Sequence, residues 1–168
     1  MKRVTLVRHG HAEPQAEGGD FFRPLDSRGR AEAARSAAAI ATAFGAPDSM
    51  VASAAVRTRQ TALILREHWA SILASALPLV FERNLYHADW TVLLQTLQGT
   101  ASSISHVLLV GHNPGISELA LRWSGRFAEH AAFRGFAPAG WCTAAFDIGD
   151  WTAISSPVEG RFESMPPG

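Results

Sequence analysis

Three short apolar runs organise this chain, and each is followed within a few residues by a basic or imidazole side chain. The first is Val4-Thr5-Leu6-Val7, three apolar residues of four and two of them β-branched, the pattern of a buried strand. Arg8-His9-Gly10 follows it without a spacer. The second run, Met50-Val51-Ala52, leads into Ser53-Ala54-Ala55-Val56-Arg57-Thr58-Arg59-Gln60-Thr61. A helical pattern begins there, with Ala62, Leu65 and Trp69 recurring at spacings of three and four. Arg57 is therefore expected in the loop or first helical turn beyond a second strand. The third run, His106-Val107-Leu108-Leu109-Val110, is the clearest buried-strand pattern in the chain. It is followed by Gly111-His112-Asn113-Pro114-Gly115, and then by Ile116, Leu119, Ala120 and Trp123 on one helical face, with Pro114 near the first turn.

The remaining pattern completes an α/β order. Arg28–Phe44 is Ala-rich with high helix propensity; Asp26 or Ser27 is placed to cap it, and Gly45 with Pro47 closes it. Thr91–Leu97 reads as a short helix. Trp141–Phe146 and Trp151–Ile154 read as two strands joined by a Gly149-Asp150 turn. There is no internal repeat and no linker. The expectation is a single domain over residues 1–163, a three-layer α/β/α sandwich with a mostly parallel central sheet, and a frayed tail at 164–168. Glu13–Phe22, with its paired glycines and phenylalanines, reads either as a mobile flap over a pocket or as an ordinary surface loop. Phe127, Phe133 and Phe136 in the stretch Arg126–Pro138 either pack in the core or shape access to a site.

Composition narrows the function. The 168 residues are 47% hydrophobic, enough for a proper core, with 15 basic and 15 acidic side chains and no formal net charge. No basic tract or aromatic-basic stripe marks a nucleic-acid surface. No apolar run spans a membrane, and Lys2-Arg3 precede only a short strand, so no signal peptide is expected and a cytoplasmic location is the default. Cys142 is the sole cysteine, which leaves no intramolecular disulfide or cysteine zinc cluster.

The three strand ends carry the chemistry. Open α/β sheets bind ligands beyond the carboxyl ends of their strands. Arg8 and Arg57 would bring two planar, permanently charged forks to that edge, suited to a bidentate oxyanion. His112 would add a third donor if protonated, a form that an anion between two guanidiniums favours. A nucleophilic His9 must instead be neutral, with one nitrogen donating to a fixed acceptor and the other keeping its lone pair. Gly10 lets the backbone fold close beside it. Arg59 falls on a different helical face, where a solvated role is expected. Asn113 binds either its own turn or the phosphate. His68, His106 and His130 have no motif around them and are expected to be structural or exposed.

The residues Leu6-Val7-Arg8-His9-Gly10, Ser53 to Thr61 and Val110 to Gly115 resemble the histidine phosphatase superfamily, the phosphoglycerate-mutase-like fold. Arg23-Pro24-Leu25 with Gly29 is similar to the stretch before the first helix in its short bacterial branch. The likeness runs from about residue 4 to the strand at Trp141–Phe146, and the Gly-His-Asn-Pro-Gly run looks most like phosphohistidine phosphatases of the SixA type. The resemblance implies that His9 is transiently phosphorylated, that Arg8, Arg57 and His112 line the phosphate pocket, that water hydrolyses the phospho-enzyme, and that neither metal nor cofactor is needed.

The proton donor is where the pattern departs from the family. Larger members place a Glu after the third strand; here Leu85-Tyr86-His87-Ala88 puts His87 there, with Glu82 and Asp89 as neighbouring alternatives. An alkyl phosphate loses a strongly basic alkoxide unless an acid protonates it. Phosphohistidine loses an imidazole, whose conjugate acid has a pKa of about 6.5, so it can depart neutral. A site with a poor acid therefore favours P–N over P–O substrates. His11 is a second departure, since that position is often acidic, and it is expected to raise the positive potential at the mouth.

The expected function is phosphoryl removal from a phosphohistidine on a protein such as a phosphotransfer domain. A small phosphorylated metabolite is the alternative substrate. Mutase activity fits less well, because the chain lacks the length for insertions that retain a doubly phosphorylated intermediate. Two other classes stay open: a metallohydrolase on His9-x-His11 with His112, and a non-catalytic phosphate-binding module.

Overall fold

In the computed structural model, residues 1–70, 73, 76–124, 135–155 and 161–164 are described. Six strands form one sheet: β1 (Lys2–Arg8), β2 (Ser49–Ser53), β3 (Leu79–Glu82), β4 (His106–Gly111), β5 (Trp141–Phe146) and β6 (Arg161–Ser164), in the order β3-β2-β4-β1-β5-β6. The first four strands of that order run parallel; β5 is antiparallel to β1, and β6 is antiparallel to β5. Among the described residues four helices cover the sheet: α1 (Ser27–Phe44), α2 (Val56–Ala70), α3 (Trp90–Gln98) and α4 (Gly115–Trp123).

Strand alternation divides the core into two layers. On β4, Val107 and Leu109 join Leu93, Leu97, Leu119 and Trp123 on the α3/α4 side. Leu108 and Val110 face Ala37, Ile40, Leu65 and Trp69 on the α1/α2 side. Because a strand's side chains alternate with period two, a strand buried on both faces reads as a continuous apolar run, as 106–110 does. The α/β/α expectation is therefore met.

Helix starts follow their caps. Asp26 accepts from the backbone N–H of Gly29, and α1 begins one residue before the expected Arg28. Asp89 accepts from the N–H groups of Thr91 and Val92 and starts α3 at Trp90.

One expected strand is not formed. Trp151–Ala153 is a 3-10 turn, because the Asp150 carboxylate accepts from Thr152 N at 2.9 Å and turns the chain. Trp151 is then buried, its indole N–H on the carbonyl of Ile104 at 2.8 Å. The strand that pairs with β5 comes later, at Arg161–Ser164. It includes Ser164, the first residue of the expected tail; 165–168, like Phe127, His130 and Phe133, lie outside the described residues. Among the described residues no helix is long and apolar enough to cross a membrane.

Candidate active site

The strand order β2-β4-β1 places the three motif-bearing strand ends side by side. Arg8 pairs in register with Gly111, and His9 N donates to Gly111 O at 3.1 Å, so the two histidine-bearing turns leave the sheet together. Gly10 is required there by contact with α1. A Cβ on Gly10 would lie 2.5 Å from Gly29 O, and a Cβ on Gly29 would lie 2.0 Å from His11 O. The first turn of α1 thus presses on the chain just after His9, a closer constraint than room for the His9 ring.

His9 is held as a neutral ring of defined tautomer. Its Nδ1 lies 2.8 Å from the carbonyl of Gly10. A carbonyl only accepts, so Nδ1 carries the hydrogen and Nε2 keeps its lone pair. Arg57 Nε donates toward that lone pair at 3.3 Å. Burial lowers the His9 pKa to about 4; the Gly10 carbonyl opposes this, and Arg57, Arg8 and Arg23 add to it.

Arg57 is 1% exposed and spends its two edges on different partners. Nε and Nη2 face His9 Nε2 and His112 Nδ1, at 3.3 and 3.4 Å. Nη1 and Nη2 reach the main-chain oxygen and Oδ2 of Asp20, at 2.6 and 2.9 Å. The Nε/Nη2 edge is the one a phosphoryl group would take bidentately. Arg8 donates from Nη1 to the carbonyl of Phe136 at 2.5 Å. Its Nε is buried without a hydrogen-bond partner among the described residues, a donor that an oxyanion would satisfy. Arg59 is exposed, its guanidinium 4.3 Å from the centre of the Phe81 ring.

His112 lies edge-on to His9, with ring centroids 5.1 Å apart. Because Arg57 Nη2 can only donate, His112 Nδ1 accepts, and its Nε2–H donates to Ser53 Oγ at 2.9 Å. Burial first, then His9, Arg57 and His87, push the His112 pKa down to about 2, with Asp20 opposing. His112 is therefore neutral in this arrangement, and the protonated form expected with an anion must be brought about by that anion.

The mouth of the site is closed by a residue that sequence reasoning did not single out. Asp20, within the Glu13–Phe22 segment, sends Oδ2 to Arg57, to the Tyr86 hydroxyl at 2.6 Å and to His87 Nε2 at 3.1 Å. Its Oδ1 accepts from Arg23 Nε at 2.8 Å. These donors, Tyr86 foremost, hold its pKa well below the usual carboxylate range, against a smaller cost of burial. The same bond raises the Tyr86 pKa. Phe21 packs on Tyr86 at 5.0 Å between centroids, so the segment is docked over the pocket.

The three expected proton donors separate. His87 reaches the site, its ring 4.9 Å from that of His112. It does so with a φ of 50°, a left-handed conformation that costs a non-glycine residue about 1–3 kcal/mol. Gly115 permits the approach: a Cβ there would lie 2.1 Å from Ala88 O. Asp89 is spent on the α3 cap. Glu82 ends β3, and no described side-chain contact joins it to the pocket.

Asn113 takes the first of its two expected roles, and His11 departs from its expected one. The Asn113 amide donates to Phe136 O at 3.0 Å and accepts from Ser117 Oγ at 2.5 Å. Asn113 thus braces the turn that carries Phe136 and has one amide hydrogen left for anything else. His11 Nδ1 lies 2.8 Å from Glu32 Oε1, so the ring is turned to a carboxylate and adds little to the positive potential at the mouth. Turned to Glu32, His11 does not join His9 and His112. Among the described residues no group of three His, Cys, Asp or Glu side chains is arranged to hold a metal ion. His106 is structural, its Nε2 2.9 Å from Thr5 Oγ1, and the His68 ring packs against Trp69.

Asp20, Tyr86, Ser53 and the Phe136 carbonyl were the residues missed. Ser53 and Tyr86 sit inside the recognised motifs, but nothing in their spacing tells that one orients His112 and the other anchors Asp20. Asp20 stands three residues before Arg23 and has no local signature.

The family model described as histidine phosphatase superfamily (branch 1) matches residues 4–93. Among solved structures, a protein of Agrobacterium tumefaciens provisionally named phosphohistidine phosphatase SixA is 30% identical, with a TM-score of 0.75 over 85% of this chain and 90% of its own. A protein histidine phosphatase SixA complexed with tungstate is 20% identical, with a TM-score of 0.71 over 95% of this chain and 93% of its own. A mycobacterial glucosyl-3-phosphoglycerate phosphatase complexed with vanadate is 18% identical, with a TM-score of 0.69 over 98% of both chains. At these identities the last two bear on the fold alone. No curated protein sequence matches the chain significantly. The fold and the family together define an α/β phosphatase. The chain belongs to the histidine phosphatase superfamily.

Proposed function

We propose that the protein removes phosphoryl groups without a metal through a phospho-His9 intermediate, and that its substrate is phosphohistidine on a protein. The observation that carries this reading is the His9 ring itself, with Nδ1–H on Gly10 O and the Nε2 lone pair facing the Arg57 edge. In the first step the Nε2 lone pair attacks phosphorus and the substrate P–N bond breaks. The electron pair goes to the substrate ring nitrogen, which departs as neutral imidazole because its other nitrogen keeps its proton. In the second step water attacks phosphorus, the P–Nε2 bond breaks, the pair returns to His9, and the water proton is released. Gly10 O holds the Nδ1 proton throughout, so His9 is itself a neutral leaving group. Arg8, Arg57 and an anion-protonated His112 compensate the phosphoryl charge, the main contribution an enzyme makes to this transfer.

The choice of phosphohistidine rests on the leaving-group side. Asp20 there is an ionised carboxylate and cannot protonate an alkoxide. The Agrobacterium tumefaciens relative provisionally named a phosphohistidine phosphatase supports the same choice. A second reading, a small phosphorylated metabolite, is favoured by the fold shared with the glucosyl-3-phosphoglycerate phosphatase. His87 would then be the acid.

The test is phosphate release from a histidine-phosphorylated phosphotransfer domain in excess EDTA, with wild type against His9→Ala. Release by wild type alone supports the reading. Release only after metal is restored, or only from small phosphate esters, overturns it.

A further inference from the structure

An N-phosphorylated imidazole is a good leaving group only while its distal nitrogen carries a proton. The protein meets this need for its own ring through the Gly10 carbonyl, 2.8 Å from His9 Nδ1. A substrate imidazole approaching the other side of phosphorus needs an acceptor of the same kind. We propose that Asp20 is that acceptor: its carboxylate takes the distal ring N–H of the substrate phosphohistidine and so fits this site to P–N rather than P–O bonds. The proposal rests on the phosphohistidine reading above and adds the residue that enforces it.

The geometry supports the assignment in three ways. Asp20 meets Arg57 on its Nη1/Nη2 edge and leaves the Nε/Nη2 edge, which faces His9 and His112, for the phosphoryl group; anion and carboxylate do not compete for one edge. The Asp20 carboxylate already receives one imidazole, since His87 Nε2 lies 3.1 Å from Oδ2 and the His87 side chain is 52% exposed. The Asp20 side chain is itself 45% exposed, and Oδ1 meets only Arg23 among the described contacts, leaving a lone pair for a second N–H. A cavity of about 590 Å³, lined by Pro14, Gln15, Ala16, Gly19, Asp20 and Arg23, opens beside it.

The donors around the carboxylate, Tyr86 first and then His87, Arg23 and Arg57, keep it ionised. An ionised carboxylate favours a ring N–H and raises the cost of charge developing on an alkoxide oxygen. No further reactant is involved: the substrate ring keeps its proton, and only the P–N electron pair moves.

Asp20→Asn is the test, since it keeps shape and an acceptor oxygen while removing the charge. Three quantities are read in EDTA for wild type and variant: kcat/KM on a histidine-phosphorylated protein, kcat/KM on p-nitrophenyl phosphate, and the Kd of tungstate. The ratio of the first to the second is expected to fall at least tenfold, with a smaller change in tungstate Kd. An unmoved ratio, or a tungstate Kd that weakens as much as the P–N reaction slows, makes Asp20 only a brace for Arg57 and overturns the proposal. A wild type that hydrolyses the ester but not the phosphohistidine overturns the substrate reading, and the proposal with it.

Discussion

Arg57 Nε stands 3.3 Å from Nε2 of His9, and because a guanidinium can only donate, the ring nitrogen is the acceptor. His9 Nε2 is thus kept unprotonated by burial first, with Arg57 adding to it, and in the proposed mechanism Arg57 is also the group that binds the phosphoryl. The consequence is measurable. An NMR titration should find the His9 ring with a midpoint near 4. Stability follows with a definite sign. The unfolded chain takes up protons at its histidines near about 6.5, whereas the native rings at 9 and 112 resist until pH about 4 and about 2. Their contribution is therefore present above about 6.5 and is lost as pH falls through that window. Thermal melts should show Tm dropping from pH 6.5 to 4. A His9 midpoint at the ordinary value would contradict the geometry.

Arg57→Lys preserves charge but cannot span two edges. It should weaken tungstate or phosphate binding by at least about a hundredfold, the loss of two charge-assisted bonds of roughly 1.5–3 kcal/mol each. It should also release Asp20, so amide exchange over residues 13–23 should quicken. Unchanged affinity would show that the Nε/Nη2 edge is not the anion seat.

Gly115→Ala tests how His87 arrives at the pocket. The new Cβ would meet Ala88 O at 2.1 Å, so either α4 or the 87–88 backbone must shift. A destabilisation of about 1–3 kcal/mol is expected, typical of overpacking, together with a changed NMR environment for His87. A variant as stable as wild type, with the His87 signal in place, would show that the contact is easily relieved.

What could be read in advance followed from local pattern. The 106–110 run is continuous because that strand is buried on both faces, and it was legible for that reason. Arg8, His9, Arg57 and His112 were legible because each stands at or just beyond a strand end, where short-range order fixes its position. Asp20 was not, because its role depends on a loop folding back across the sheet edge to Arg57, Tyr86 and His87. Trp151–Ile154 was misread because alternation says nothing of an Asp150 side chain that turns the chain first.

The sequence offered Asp89 as a neighbouring alternative to His87 for the proton donor, and the structure gives the two opposite fates. Asp89→Ala should cost about 1 kcal/mol, the usual value for a lost helix cap, and leave phosphatase activity intact. His87→Gln should spare stability, since the ring is half exposed, and should slow phosphomonoesters more than phosphohistidine if His87 protonates an ester leaving group. Loss of activity in Asp89→Ala at full stability would reverse this assignment.

If the proposed site seats an anion, the His112 ring should make anion binding and proton uptake a single event. In the free protein its Nδ1 accepts from Arg57, and its pKa lies near 2, so at neutral pH it carries no charge. A phosphoryl oxygen seated on the Nε/Nη2 edge replaces that acceptor with one of its own and can be bonded by Nδ1 only if Nδ1 gains a hydrogen. The anion also supplies the opposite charge that burial had made costly to lack. Ser53 Oγ meanwhile holds Nε2–H in place, so the proton must enter at Nδ1. Calorimetric titration with tungstate at pH 7, in buffers of different ionisation enthalpy, should reveal net uptake approaching one proton per anion. The uptake should vanish in His112→Asn and persist in His87→Gln. Binding with no proton linkage would mean that His112 stays neutral against the anion, leaving the two arginines to carry the charge alone.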